Sequence, residues 1–437
     1  MKHVILGNGP TGVVAAENIR KQRPHDEIVV VGDEHERPYS RMAIPYLLEG
    51  KIAESGTLLR HDRNHWTERR IGLVEARAVS VDTDARRVTL SNGEVLPYDR
   101  LLLATGSKPV RPPIPGMSLP EVVSCWTLED ARAILERLRP GAKVLQMGAG
   151  FIGCIIMEAI ANTVGKTGGS LTVVEMGDRM VPRMMTPKAS ALIRAWSEKA
   201  GVEVLTSTRV TAIEANVPRG GLLSPVYKAK NTKERVDVSF GDGSSRAFDF
   251  VICATGVAPA IDYLKGSGVE IGKLGGIVVD NRMRTTAPDV WAAGDCTEST
   301  DFSTGELMVN AIQPNAADQA LVAGANMAGG DARTLGGLRM NVLETFGLVS
   351  TSYGQWWGAE GGDHVELVDE AAFHYIRLEF LGDRVIGATV VGRTHHIGAL
   401  RGLIQTGARL GSQWKERLKA DPNRFMDAYL TAALSLA

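Results

Sequence analysis

Apolar and polar positions along this chain follow a pattern that occurs twice. The apolar run His3-Val4-Ile5-Leu6 predicts a strand covered on both faces. Val13-Val14-Ala15-Ala16-Glu17-Asn18-Ile19 then takes helical spacing, and Glu27-Ile28-Val29-Val30-Val31 predicts a second strand. Between residues 77 and 106 shorter runs alternate like a meander: Val79-Ser80-Val81, Arg87-Val88-Thr89-Leu90, the turn Ser91-Asn92-Gly93, and the buried-type strand Arg100-Leu101-Leu102-Leu103-Ala104. The order repeats from Lys143-Val144-Leu145-Gln146-Met147, through a helix, to Leu171-Thr172-Val173-Val174. It continues with Val236-Asp237-Val238-Ser239-Phe240, the turn Gly241-Asp242-Gly243, and Phe250-Val251-Ile252-Cys253-Ala254. A β-α-β unit followed by a meander, present twice, predicts an α/β fold with two such domains. The stretch from Asn162 to Ser170 reads as a longer glycine-bearing connection than the unit needs. Pro109, Pro112, Pro113 and Pro115 mark a crossing between domains. From about residue 335 the pattern changes. Strands are predicted at His374–Phe380 and Val385–Val391, then a helix with Ile397, Leu400, Leu403, Ile404 and Ala408 on one face, hence a third, α+β domain.

Each strand-to-helix junction carries a glycine fingerprint: Gly7-Asn8-Gly9-Pro10-Thr11-Gly12 and Gly148-Ala149-Gly150-Phe151-Ile152-Gly153. The first glycine permits a tight turn, the second lets backbone approach a pyrophosphate, and the third allows close packing of helix on strand. The helix N-terminus adds N–H donors and partial positive charge. One such motif is weak evidence; two imply two nucleotides on one chain. Ala104-Thr105-Gly106 and Ala254-Thr255-Gly256 hold the same place in each copy. The second copy ends its strand in Glu175, a carboxylate able to accept from both ribose hydroxyls and to repel a 2′-phosphate, which favours NADH over NADPH. Arg179 nearby works slightly against that preference. In the first copy Gly32 stands where the acid is expected, so Asp33, with Glu34 beside it, is the candidate for the adenosine ribose; the alternative is an acid in a surface turn.

Composition narrows the classes. The chain has 437 residues, 44% hydrophobic and 23% charged, with net charge −1, so nothing calls for nucleic acid or an anionic membrane. No apolar run approaches the roughly 20 residues that span a bilayer. Val4–Leu6 lead straight into the fingerprint, so a signal peptide is not expected and a cytoplasmic location is. Cys125, Cys154, Cys253 and Cys296 lie far apart, without the spacing of a disulfide framework, a zinc site or an iron–sulfur cluster, so no metal is expected.

The segment Thr286-Ala287-Pro288-Asp289-Val290-Trp291-Ala292-Ala293-Gly294-Asp295, together with both fingerprints and both Ala-Thr-Gly segments, resembles the pyridine nucleotide–disulfide oxidoreductase superfamily. The resemblance covers residues 1 to 330 well and the remainder loosely. It implies a discontinuous FAD domain (residues 1–115 and 251–330), an NAD domain (116–250), and a C-terminal α+β dimerisation domain (331–437). It places Asp295 on the FAD ribityl chain. Gly7, Gly9, Pro10, Thr11, Gly12, Asp33, Glu34, Arg41, Ala78, Ala104, Thr105, Gly106, Trp126 and Gln313 complete the FAD set. Gly148, Gly150, Phe151, Ile152, Gly153, Glu175 and Gly256 form the NAD set.

Departures from the family pattern select a branch. Counting back seven from the acid of Leu48-Glu49-Gly50-Lys51, where one branch has its redox cysteine, gives Met42, and a thioether forms no thiolate. Pro38-Tyr39-Ser40-Arg41 resembles the non-thiol branch of rubredoxin and ferredoxin reductases and NADH-nitrite reductase flavin domains. Arg41 there neutralises FAD; the alternative is a surface ion pair. Trp126, where those reductases have arginine, stacks on a cofactor or belongs to the core. Ile155 replaces the glutamate near the nicotinamide, and Glu158 lies a turn deeper. Cys154 and Cys296 read as buried packing residues, and His395-His396 as a local polar or packing feature. Trp356-Trp357 reads as a plug in a dimer interface or as an acceptor surface. The expected protein is an FAD-dependent NAD(P)H oxidoreductase and a homodimer. It passes a hydride from NADH to flavin, with the two rings stacked, and then electrons to an iron–sulfur or rubredoxin-like protein. Alternatives are direct reduction of oxygen, a quinone or a sulfur species, and a low-turnover flavin-bound sensing or assembly protein.

Overall fold

A computed structural model describes residues 1–216 and 235–436 and divides the chain into two compact units. The first consists of Met1–Ala43, Ala53–Lys108 and Val257–Arg339; the second of Ile44–Ile52, Pro109–Gly256 and Met340–Ala437. The chain thus crosses between units after Ala43, Ile52, Lys108, Gly256 and Arg339. The second α/β layer and the C-terminal sheet fall within one unit.

In the first unit five parallel strands run in the order Val290–Ala292, Arg100–Leu103, Lys2–Leu6, Glu27–Gly32, Ile71–Glu75. Val4, Ile5, Leu101, Leu102 and Leu103 are wholly buried, as expected of a sheet with both faces covered. The helix Pro10–Gln22 packs on Gln313–Met327, where a Cβ on Gly324 would lie 3.0 Å from the Ala15 carbonyl oxygen. The predicted meander is present as Ala78–Asp82, Arg87–Leu90 and Val95–Pro97.

The second unit repeats the parallel layer, in the order Glu203–Leu205, Ser170–Val174, Lys143–Met147, Phe250–Cys253, Val122–Ser124. One expectation is corrected here. The helix Phe151–Gly165 runs through Asn162, so the connection to the next strand is only residues 166–169. Tertiary anchoring explains the added turn: Asn162 donates to the Glu49 carboxylate at 2.8 Å, and Thr163 donates to the Ala159 and Leu48 carbonyls.

The C-terminal part is a five-stranded antiparallel sheet, ordered Met340–Thr345, Leu348–Gly354, Arg384–Val391, His374–Leu381, Asp363–Asp369. Two of these strands were predicted. Leu348–Gly354 escaped detection because it buries Ser350, Thr351 and Ser352 where an apolar alternation would be sought. The helix Gly398–Thr406 buries Leu400, Leu403 and Ile404 and ends on left-handed Gly407, which leaves Ala408 outside it. No helix among the described residues is long and apolar enough to cross a membrane.

Candidate cofactor sites

The two glycine loops share one construction. Leu6 lies opposite Val31, and Met147 opposite Val174, so the residues that follow, Gly7 and Gly148, leave their sheets at equivalent points. Gly7 and Gly148 have φ of 114° and 101°, the left-handed region open to glycine. A Cβ on Gly7 would meet the Ala104 carbonyl carbon at 2.6 Å, and one on Gly148 that of Ala254 at 2.9 Å. The alanine of each Ala-Thr-Gly segment is therefore the floor of its loop. Gly12 and Gly153 are equally closed: a Cβ there would lie 3.0 and 3.1 Å from the carbonyl carbons of Gly7 and Gly148. The middle glycines differ. Neither Gly9 nor Gly150 has any atom within 4 Å of a would-be Cβ, and neither helix N-terminus carries a side-chain cap. Both loops thus offer open space and uncapped N–H donors, which fits a dinucleotide pyrophosphate.

Around the first loop, Glu34 and Arg41 come together: Arg41 donates to Glu34 at 2.6 Å and Tyr39 donates to the same carboxylate at 2.5 Å. Burial opposes the Arg41 charge, but Glu34 and Tyr39 outweigh it and raise its pKa. Asp33 is exposed. Asp295 is half-buried; desolvation raises its pKa, opposed by the Ser107 hydroxyl, which donates at 3.1 Å, and by the Arg41 charge. Gly294 packs against Thr11, where a Cβ would lie 3.5 Å from the Thr11 Cβ, and its N–H donates to Gln319 at 2.7 Å. Ser40 donates to Gln313 at 3.4 Å. Thr105 donates to the Ala260 carbonyl at 2.7 Å. Pro10, Thr11, Arg41, Ala104, Thr105, Gln313 and Asp295 thus belong to one unit, with Ala78 half-buried at the start of its strand. Met42 is 49% exposed.

In the second loop the Glu175 carboxylate accepts from the N–H groups of Ala149 and Gly177, both at 2.8 Å. Arg179 donates to both oxygens of Asp178 at 3.0 Å, so its charge is paired beside the acid. Phe151 and Ile152 are half-buried at the helix start, and Gly256 is exposed with φ 111°. Trp126 is half-buried, its N–H donating to Asp130 at 2.9 Å. Two residues eluded sequence reasoning. Gln146, wholly buried, donates to the Gly148 and Gly153 carbonyls at 3.0 and 2.8 Å and braces the loop from beneath. A glutamine inside an apolar strand was the signal available. Glu158 accepts from the Phe346 N–H at 2.9 Å, tying the helix Phe151–Gly165 to a turn of the C-terminal sheet. Burial raises its pKa, and Glu49 and Glu344 raise it further against the Phe346 N–H.

All four cysteines are buried, as read for Cys154 and Cys296. Burial pushes the thiols of Cys125 and Cys154 up to about 12 and that of Cys296 up to about 11, which removes thiolate chemistry. His395 and His396 are exposed, so neither is a packing residue. Trp356 and Trp357 stand edge to face with centroids 5.6 Å apart, and Trp357 is 44% exposed.

Residues 1–315 match the pyridine nucleotide-disulphide oxidoreductase family. An NADH oxidase of Methanocaldococcus jannaschii is 35% identical over 341 residues, 76% of this chain and 71% of that protein. A probable ferredoxin reductase of Castellaniella defragrans is 31% identical over 332 residues, 75% of each chain. The structure of an NAD-dependent persulfide reductase from A. fulgidus superposes with a TM-score of 0.82 at 28% identity, covering 93% of this chain and 77% of that one. Those three names describe different redox reactions. A family match over more than half the chain, joined to paired loops built alike and to Met42 where a redox cysteine would stand, shows that the chain belongs to the pyridine nucleotide-disulphide oxidoreductase family, on its non-thiol branch.

Proposed function

We propose that this FAD-dependent oxidoreductase takes a hydride from NADH and delivers electrons to a small carrier protein of the ferredoxin or rubredoxin kind. Bound FAD supplies the chemistry, since flavin accepts a hydride and releases electrons singly. The chain's own residues orient and exclude. Gly9 and Thr11 seat the FAD pyrophosphate, Asp295 receives the ribityl chain, and the Glu34–Arg41 pair holds a cation near the flavin phosphates. Gly150 seats the NADH pyrophosphate, and Glu175, fixed by two backbone N–H groups, accepts from the adenosine ribose hydroxyls. The pairing of Arg179 with Asp178 leaves that arginine occupied, which supports NADH over NADPH.

Likeness to a ferredoxin reductase supports a carrier protein as acceptor, and one structural observation argues against a thiol relay. Cys296, the cysteine of the flavin-binding unit, is fully buried with its thiol pushed up to about 11. Persulfide or disulfide reduction through a thiol relay is thereby disfavoured, and a partner that takes electrons directly from flavin is favoured. The test is stopped-flow absorbance followed by steady-state assays. NADH should bleach the visible flavin band, and a ferredoxin or rubredoxin should be reduced faster than oxygen is consumed. Failure to bleach would refute the reductase assignment; oxygen consumption outrunning carrier reduction would refute the acceptor.

A further inference from the structure

The end of the second strand in the first unit poses a specific problem. In the duplicated module this position holds Glu175 in one copy and Gly32 in the other, at matched register with their glycine loops. The middle residue of each loop differs in the opposite sense: Ala149, wholly buried, faces Glu175, whereas Asn8 faces Gly32. A Cβ built on Gly32 would overlap the Asn8 carboxamide, lying 2.8 Å from its Oδ1. The amide therefore fills the space into which a strand-end side chain would project. Large and small have changed places between the copies.

Asn8 is also chemically available. Its side chain is half-buried and has no hydrogen-bond partner among the described residues. Its neighbours are less suited to the same task. Asp33 is exposed past the strand end, and Glu34 is held by Tyr39 and Arg41. A carboxamide offers both an acceptor and two donors, so it can serve a vicinal diol as a carboxylate does, without its charge.

We propose that the Asn8 carboxamide, standing in for the missing strand-end acid, receives the adenosine ribose hydroxyls of FAD and is a binding residue of the flavin site. This rests on the assignment of the first loop to FAD. Gly32 is then glycine to make room for Asn8, and the two residues form one exchangeable unit.

The test measures FAD affinity of the full chain by flavin fluorescence titration. Two probes are used: FAD, and an FAD analogue whose adenosine lacks the 2′- and 3′-hydroxyls. Asn8→Ala should weaken FAD binding about tenfold, the loss expected of a hydrogen bond to a ligand, yet bind the dideoxy analogue as the wild type does. Gly32→Glu alone should weaken FAD binding, because the new side chain collides with Asn8. Adding Asn8→Gly should restore FAD affinity to within a few-fold of wild type, an exchange that a merely structural Asn8 does not produce. Equal weakening toward both probes in Asn8→Ala, unchanged FAD affinity in that variant, or no recovery in the double variant would each overturn the proposal. Absence of FAD binding to the wild type would instead overturn the flavin assignment of the loop.

Discussion

Replacing Gly9 by alanine should separate the stability of the first loop from its ligand binding, with opposite signs. Gly9 has φ −74° and ψ −172°, extended backbone that alanine adopts without strain, and a new methyl group would meet nothing within 4 Å. The apoprotein should therefore gain about 0.4–1 kcal/mol, because alanine leaves the unfolded chain fewer conformations to lose. The same open space is where a pyrophosphate must come within hydrogen-bond distance of backbone N–H. A methyl holds it off and weakens a hydrogen bond to a charged group worth about 1.5–3 kcal/mol, so FAD affinity should fall roughly 10- to 150-fold. Gly12→Ala is the counterpart. Its methyl would press on the Gly7 carbonyl, backbone that cannot rotate away, and should cost about 1–3 kcal/mol or more with or without ligand. Urea unfolding of the apoproteins by tryptophan fluorescence, paired with FAD titration, reads both quantities. A Gly9→Ala protein that binds FAD like the wild type would refute the seat, and a neutral Gly12→Ala would refute the packing argument.

Glu158→Gln should stabilise the protein at neutral pH. The folded pKa of Glu158 is raised above the ordinary 4.5, so the folded state binds its proton more tightly and the ionised side chain costs stability as pH rises through the folded value. Urea midpoints should show the variant's advantage above that value and its disappearance below about pH 4.5; a constant offset would contradict this. Glu175→Ala removes the acceptor of two loop N–H groups and should raise the KM for NADH roughly tenfold or more while FAD content stays unchanged. Replacing all four cysteines by alanine should leave flavin reduction by NADH intact, and iodoacetamide should not inhibit the native enzyme; loss of activity in either case would restore a thiol relay. Trp357→Ala, which removes an exposed ring, should alter the KM for a protein carrier and leave flavin bleaching by NADH untouched if that segment meets the acceptor.

What was legible in the sequence was local in origin. The glycine loops and their flanking strands lie within short windows where period and turn chemistry coincide. What escaped depends on residues distant in sequence. Gln146 reads as an anomaly in an apolar strand until the carbonyls of Gly148 and Gly153 are seen above it. The helix extension to Gly165 depends on Leu48 and Glu49, more than a hundred residues earlier. The strand Leu348–Gly354 hides because burial in the centre of a sheet tolerates Ser350, Thr351 and Ser352 once neighbouring strands cover them. The displaced acid after the second strand was visible as a gap, but Asn8 as its occupant was visible only in three dimensions.

The strand order of the first unit also sets a timetable for biogenesis. Its sheet opens with Lys2–Leu6 and is completed by Val290–Ala292, while the parallel sheet of the second unit needs nothing beyond Phe250–Cys253. At roughly 5–20 residues per second on a ribosome, the last strand of the first sheet follows the first by about 15–60 s. For about the last 10–40 s of that interval Arg100–Leu103 keeps an apolar edge unpaired, the kind of edge that invites aggregation. The nucleotide site begun first is thus the one finished last. Ribosome-bound chains halted near residue 300, with Phe250–Cys253 outside the exit tunnel and Val290–Ala292 still within it, should already protect the second glycine loop from proteolysis while the first remains open to it.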